Sequence, residues 1–189
     1  VRSEKDEEPN VVIPQSAIRN PHSLLMTALA LSNDAQTGAD GSVLGDPTEI
    51  ALYDIAKKQG FEKKELEKDF PRVAEIPFDA DRKCMTTFHA RPEGGFASFT
   101  KGAIDVLIDR SENILLSKEL KAVDNQEINR VNERMATDGL RVLCIAMRTW
   151  DALPADMSSG NVETGLKIIG LTGMLDPPRE EAREAVALC

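Results

Sequence analysis

The chain of 189 residues lacks several features that would assign it to a specialised class of protein. It has no apolar run near the roughly 20 residues that a membrane span requires. It has no excess of positive charge, because its net charge is −9, and this argues against general binding to nucleic acids or anionic membranes. An anionic ligand would therefore have to be held by a local group of cations.

Cysteine and histidine are also scarce. Cys84, Cys144 and Cys189 are far apart in the sequence and have neither the spacing of a metal site nor that of a disulfide framework, which predicts a reducing cytosol. His22 and His89 are isolated from each other and from the cysteines, so the sequence does not predict a metal site.

Common nucleotide and hydrolase motifs are missing as well. The chain contains no GxxxxGK followed by Ser or Thr, and no GxGxxG at the start of a helix. It also contains neither HExxH nor GxSxG. These absences exclude the phosphate-binding loops and hydrolase sites that are easiest to detect in a sequence.

The remaining pattern predicts an α+β fold with a twisted antiparallel sheet flanked by helices. Helical spacing and end signals occur in PHSLLMTALALSND, DPTEIALYDIAKKQGF, GAIDVLIDRS and DNQEINRVNERMATDG. Alternating or buried strands are predicted in RVAEIPF, RKCMTTFHA, FASFTK, LRVLCIAMR and LKIIGLTGML. The turn signal RPEGG predicts a hairpin, and EKKELEKDFP is interpreted as a charged connector.

Two of the predicted helices have clear end signals. For the helix in DPTEIALYDIAKKQGF, we predict Asp46 as the N-cap, Glu49 as its capping-box partner and Gly60 as the stop. Asp124 and Glu127 form the same pair at the start of a later helix.

Five residues near predicted element ends are of types that bind nucleotides. Phe78 offers a flat face for a base, and stacking of this kind contributes about 1–3 kcal/mol. Lys83 and Lys101 are suited to phosphate groups, and Arg141 adds a forked donor. The Glu49 carboxylate can accept a hydrogen bond from an exocyclic amine.

Each of these residues also has a purely structural explanation. Phe78 on an alternating strand is commonly a core residue, and Lys83 at a strand edge commonly protects that edge from aggregation. Glu49 is accounted for by the capping box, and Arg141 by an exposed strand position. The residue pattern alone leaves both explanations open.

Several motifs, taken in order, resemble the nucleotide-binding domain of P-type cation-transporting ATPases, in the calcium-pump-like branch. The matching segments are GDPTEIAL (45–52), PFDADRKCM (77–85), TKGAIDVLIDR (100–110), DGLRVLCIAMR (138–148) and GMLDPPREEAREAV (173–186). Each segment is only moderately specific by itself, but together they follow the family's order at compatible spacing.

The resemblance implies a nucleotide site of nine residues, which are Thr48, Glu49, Phe78, Lys83, Met85, Lys101, Gly102, Arg141 and Leu143. Phe78 matches the aromatic residue that stacks on adenine, and Glu49 the carboxylate that faces the adenine amine. Lys101 matches the lysine deep in the adenosine pocket, with Gly102 beside the ligand, and Arg141 matches the arginine near the phosphates. Thr48 accompanies Glu49, Lys83 lines the pocket, and Met85 and Leu143 match its apolar walls. Where some calcium pumps carry a basic residue, this chain has Ala80, so affinity is expected to depend more on the adenosine end.

The resemblance also implies how the chain is organised and what it does. In the family, this domain holds Mg-ATP and presents the γ-phosphate to an aspartate in a DKTGT sequence of a neighbouring domain. Because DKTGT and GDGxND are absent from this chain, we expect a fragment that does not turn over ATP by itself. We predict a linker or edge strand at 1–20, a nucleotide-binding domain at 21–165, and a return segment toward the phosphorylation domain at 166–189, with Asp176 at the hinge. The expected partners are ATP and the phosphorylation and actuator domains of a membrane-embedded pump, on the cytoplasmic face, with no role for nucleic acid.

Two other interpretations belong to different classes of protein. One is a non-catalytic interaction domain whose acidic surface binds a basic partner. The other is a complete small phosphotransferase, which is the weakest interpretation because the phosphate loop and a carboxylate–metal cluster are both missing.

Overall fold

The computed structural model describes residues 20–38, 42–116 and 119–175. The helices in this part of the chain are α1 Pro21–Leu31, α2 Pro47–Lys58, α3 Lys63–Asp69, α4 Ile104–Asp109, α5 Asn125–Thr137 and α6 Ser159–Val162. The strands are β1 Gln36–Thr37, β2 Val43–Leu44, β3 Arg72–Asp79, β4 Cys84–Ala90, β5 Phe96–Gly102, β6 Ser111–Leu116, β7 Glu119–Ala122, β8 Leu140–Trp150 and β9 Leu166–Leu175. This content confirms the predicted α+β class.

Seven strands form one sheet in the order β3-β4-β5-β8-β9-β6-β7, and β1 and β2 form a separate two-stranded ribbon. Neighbouring strands of the large sheet are antiparallel except β6 and β9, which run parallel. The predicted β4–β5 hairpin is confirmed, with Gly94 and Gly95 at positive φ in its turn. The antiparallel prediction is therefore correct for most of the sheet.

Strand β9 lies inside the sheet, between β8 and β6. Residues 166–175, which the sequence analysis grouped with the return segment, thus contribute to the same sheet as residues 72–150. The rest of that segment, 176–189, and most of the predicted linker, 1–19, lie outside the described residues. The proposed hinge at Asp176 is also outside them.

Two hydrophobic clusters cover opposite faces of the sheet. Ile145 and Met147 of β8 pack with α1, α2 and α3, whereas Cys144 and Ala146 pack with α4 and α5. This division follows from the alternation of side chains along a strand. The sheet is therefore the middle of three layers.

Several local predictions are confirmed, one is corrected, and one pair of strands was not predicted. Asp46 and Asp124 cap their helices through their side chains, and Gly60 follows α2 with a φ of 86°. The segment interpreted as a charged connector contains the helix α3, because Leu66 packs against the core and the adjoining Phe70 is buried. The β6–β7 hairpin was not predicted.

Trp150 is the last residue of β8, and it lies at the opposite end of the sheet from the first residues of that strand. Its indole N–H donates to the Ser98 hydroxyl at 2.9 Å, and the Arg148 guanidinium lies 4.0 Å from the ring centroid. The Phe88 ring is 5.8 Å away, centroid to centroid. Among the helices of the described residues, none has the length and apolar character of a membrane span.

Candidate functional site

A cleft of about 390 Å³ opens at one end of the large sheet. It is lined by ten residues, which are Asp46, Thr48, Glu49, Phe78, Lys83, Met85, Lys101, Gly102, Arg141 and Leu143. These include all nine residues that the sequence analysis proposed. The structure thus brings the proposed residues together, while their contact with a nucleotide stays a prediction.

Strand ends and one helix start account for this convergence. The antiparallel register places Met85 opposite Lys101, and Gly102 opposite both Cys84 and Cys144. One end of the sheet therefore brings together the end of β3, the start of β4, the end of β5 and the start of β8. The first turn of α2 completes the cleft with Asp46, Thr48 and Glu49.

Phe78 projects into this cleft with its side chain largely free. The residue is 64% exposed, whereas Ala74 and Ile76 on the same strand are half-buried. A core residue would be covered, so the structural explanation of Phe78 as part of the core is wrong. An exposed ring beside a cleft is available for stacking.

Lys101 is the most enclosed cation of the cleft, with only 7% of its surface exposed. Its Nζ atom donates to Oε1 of Glu49 at 2.6 Å. Burial lowers the pKa of Lys101, and the hydrogen bond and charge of Glu49 oppose this shift. At the base of the cleft, the negative charge of Glu49 thus neutralises the positive charge of the buried Lys101.

The capping-box prediction for Glu49 is wrong. Its Oε2 atom accepts from the backbone N–H of Asp34 at 2.8 Å, and its Oε1 atom from Lys101. The N-cap function belongs to Asp46, whose side chain accepts from the N–H of Thr48 at 2.8 Å. Glu49 points away from its own helix because a buried lysine and a loop N–H attract it more strongly than the exposed N-terminus does.

The loop that follows α1 supports Glu49 from behind. Arg72 donates to the Asp34 carboxylate, and Lys63 donates to the carbonyl oxygens of Asn33 at 2.7 Å and Ala35 at 3.1 Å. Burial alone would raise the pKa of Asp34, but the hydrogen bond and charge of Arg72 hold it below its usual value. These contacts hold in place the Asp34 backbone N–H, which donates a hydrogen bond to Glu49.

Lys83 lies at the mouth of the cleft in a left-handed backbone conformation, with a φ of 51°. Its ammonium group is 3.1 Å from Oδ2 of Asp105, and both side chains are exposed. Its backbone N–H donates to the carbonyl of Asp79 at 2.7 Å, and its carbonyl accepts from Ala103 at 3.0 Å. The backbone is thus held on both sides of the residue.

Gly102 is required by the packing of the strands around it. A Cβ atom at this position would lie 2.5 Å from the carbonyl oxygen of Lys83 and 2.5 Å from the Cβ of Cys84. Contacts this short involve backbone that cannot move aside easily. The proposed approach of Gly102 to a ligand stays a prediction.

The other walls combine apolar surface with one exposed cation. Met85 is buried, and Leu143 is half-buried and packs against the core. Arg141 is exposed and forms no ion pair within the described ranges. The cleft therefore has apolar side walls and the Lys101–Glu49 ion pair at its base, and Lys83 and Arg141 carry positive charge at its mouth.

Sequence reasoning missed a buried ion cluster behind the β3–β4 bend. Glu163 is fully buried and forms ion pairs with Arg82 and Arg110. Arg82 and Glu163 are 81 positions apart, so no local spacing signals their contact.

Comparison with known proteins identifies the family. A family model described as P-type ATPase, cytoplasmic domain N, matches residues 22–181. Cation-transporting ATPase pma1 of Synechocystis sp. is 41% identical over 169 residues, which cover 87% of this chain and 18% of that protein. Calcium-transporting ATPase 1 of Bacillus cereus is 38% identical over 169 residues, with coverage of 88% and 19%.

Probable cation-transporting ATPase F of Mycobacterium tuberculosis is 36% identical over 188 residues, which cover 97% of this chain and 20% of that protein. The chain thus spans about a fifth of the length of these curated relatives. The family resemblance stated from the sequence is confirmed: the chain belongs to the P-type cation-transporting ATPases, in the part of them described as cytoplasmic domain N.

Proposed function

We propose that this chain is the ATP-binding domain of a cation pump, which holds Mg-ATP and presents the γ-phosphate to an aspartate in a neighbouring domain. The observation that carries the proposal is an exposed aromatic ring beside two exposed cations at the mouth of one cleft. In a chain of net charge −9, such a local positive site is what an anionic ligand requires.

The base would lie against the exposed Phe78 ring and reach from there into the inner part of the cleft. The Phe78 ring provides a stacking face, and Met85 and Leu143 provide apolar walls. Glu49 already accepts two hydrogen bonds, but its carboxylate has lone pairs left for an exocyclic amine. A cleft of about 390 Å³ is within the usual size range of small-molecule sites.

The phosphates would lie toward Arg141 and Lys83 at the mouth. Arg141 offers a forked donor without a competing ion pair in the described part of the chain, while Lys83 has to loosen its contact with Asp105. Magnesium would arrive bound to the nucleotide. The domain would then contribute positioning of the nucleotide rather than bond-making.

The proposal extends to the parent protein. The partners would be the phosphorylation and actuator domains of a membrane-embedded pump, at its cytoplasmic face, with calcium as the transported ion by analogy with the name of the Bacillus cereus relative. The chain alone would bind ATP weakly, with a Kd of about 1 mM, and would not hydrolyse it.

Titration of the ¹⁵N-labelled chain with Mg-ATP, followed by NMR, tests the proposal. We expect saturable shifts of amides around the cleft and weaker effects with Mg-GTP, whose base lacks the adenine amine. A Phe78→Ala variant serves as the matched control. Equal responses to both nucleotides, or no response, would contradict the proposal, as would acid-stable labelling of the chain by γ-labelled ATP.

The net charge of −9 also supports the alternative of an acidic interaction domain. That alternative predicts indifference to nucleotides and binding of a basic protein partner that weakens with salt. The same titration, repeated with a basic partner at two salt concentrations, separates the two functions.

A further inference from the structure

A buried carboxylate lies directly behind the bend between β3 and β4. Glu163 has no exposed surface. Its Oε1 accepts from Arg82 at 2.5 Å and from the Thr86 hydroxyl at 3.2 Å. Its Oε2 accepts from Arg110 at 2.6 Å and from the Cys84 thiol at 3.4 Å. A buried charge with this many donors is tightly held in one orientation.

The backbone around Glu163 is anchored to the centre of the domain. Its N–H donates to the Ser159 carbonyl at 2.9 Å, and the preceding residue, Val162, is fully buried. Leu166, at the start of β9, donates its N–H to the Arg110 carbonyl at 3.0 Å. The carboxylate is therefore a fixed point relative to the sheet.

Arg82 connects this fixed point to the bend. While its Nη1 pairs with Glu163, its Nη2 donates to the carbonyl oxygen of Pro77, which immediately precedes Phe78. One planar guanidinium thus bridges a buried anion and the backbone that carries the aromatic ring. Only a forked donor can make both contacts in one plane.

The ring has few other constraints on its position. Between the pairs Ile76↔Thr86 and Asp79↔Cys84, β3 has two residues where β4 has one, which is a β-bulge. Pro77 has no N–H to donate, and Phe78 is 64% exposed, so neither regular strand pairing nor burial fixes the ring.

We propose that Glu163 is a positioning residue of the nucleotide site, which acts through Arg82 to hold the Pro77–Phe78 bulge in the orientation that exposes the ring to the cleft. The consequence for affinity rests on the proposed ATP-binding function. A ring that is oriented before the ligand arrives does not have to be ordered during binding. Loss of the Arg82 bridge between Glu163 and the Pro77 carbonyl should therefore weaken nucleotide binding without removing any atom from the cleft.

Two arginines on the same carboxylate provide a matched pair of variants in the full chain. Arg82→Lys keeps a cation beside Glu163 but loses the fork that also reaches Pro77. Arg110→Lys makes the same change on the other oxygen; the Arg110 guanidinium also contacts the Cys84 thiol at 3.6 Å, but it does not reach Pro77. We expect the Kd for Mg-ATP to rise about tenfold in Arg82→Lys and to stay within about twofold of the parent in Arg110→Lys.

A second readout needs no nucleotide. With Phe78→Trp and 5-fluorotryptophan labelling, the chain has two ¹⁹F resonances, and the native Trp150 serves as the internal reference. Adding Arg82→Lys or Glu163→Gln should narrow the resonance at position 78, because the ring moves more freely, and leave that of Trp150 unchanged. Adding Arg110→Lys should leave both unchanged.

The outcomes separate this proposal from the proposed function. Equal effects of Arg82→Lys and Arg110→Lys on affinity, or a resonance at position 78 that no variant alters, would overturn the positioning role. If the parent chain binds no nucleotide, the proposed function fails, and the ¹⁹F comparison decides the positioning role by itself. Should Glu163→Gln not fold, the two arginine variants still decide it.

Discussion

The Nζ atom of Lys101 lies 2.6 Å from Oε1 of Glu49, although the two residues are 52 positions apart in the chain. Both side chains are largely enclosed. The pair therefore has a structural role at the base of the cleft in addition to any contact with a ligand. This changes what substitutions of either residue should do.

Glu49→Gln should lower the free energy of unfolding by about 2 kcal/mol, because it leaves a buried cation without its charged partner. Lys101→Met should also destabilise the chain, and the double variant should lose less than the sum of the two. Urea denaturation of the four proteins measures this coupling. Strictly additive losses would show that the pair contributes no interaction energy.

Phe78→Ala should lower ATP affinity about five- to hundredfold, since it removes the stacking face. The free energy of unfolding should change by about 0.5 kcal/mol or less, because the ring is mostly exposed. Phe88→Ala is the matched control: that ring is fully buried, and its loss should cost about 3–5 kcal/mol. The proposed site would lose its base platform if Phe78→Ala were unstable and still bound ATP normally when folded.

Asp105→Asn should increase ATP affinity about two- to threefold at low salt, because it releases Lys83 from an exposed ion pair and removes a negative charge from the mouth. High salt should reduce the gain. Asp109→Asn on the same helix removes an equal charge without freeing Lys83, so a smaller gain is expected there. Titrations of both variants at two salt concentrations measure the difference, and equal gains would mean that only net charge matters.

Acid should destabilise the domain through His89. The ring is fully buried, with one nitrogen 3.1 Å from the Phe70 carbonyl and the other 3.0 Å from the Thr87 hydroxyl. Burial lowers the pKa of His89 from 6.5 to about 4. Between these values the unfolded chain binds the proton and the folded chain does not, so stability falls as the pH falls through this window, by about 3 kcal/mol in all.

Urea denaturation at pH 7, 6, 5 and 4 measures this effect. His89→Gln, which cannot take up a proton, should be less stable at pH 7 but should lose less stability between pH 6.5 and 4. An identical pH dependence in the parent and the variant would assign the acid sensitivity to other groups.

The sequence predicted the membership of the cleft better than its internal contacts. Local strand and turn signals place Phe78, Lys83 and Lys101 near the ends of predicted elements, but their assignment to one nucleotide site came from the family resemblance. The hydrogen-bond partners of Glu49 were not predicted, because the Glu49 carboxylate binds a lysine 52 positions away in the chain instead of the N-terminus of its own helix. The Glu163 cluster was missed for the same reason: ion pairs across a fold follow no spacing rule. The helix α3 was overlooked because charged residues occupy most of its exposed turns.

The position of Trp150 has a practical consequence. In the β5–β8 ladder it pairs with Phe96, whereas the residues nearest the cleft, Gly102 and Cys144, pair six positions further along, a separation of about 20 Å. The only indole of the native chain is thus remote from the cleft, half-buried, and in contact with Arg148 and Phe88. Its intrinsic fluorescence should report unfolding and remain silent to occupancy of the cleft, so one unlabelled sample gives an optical signal for the fold alone.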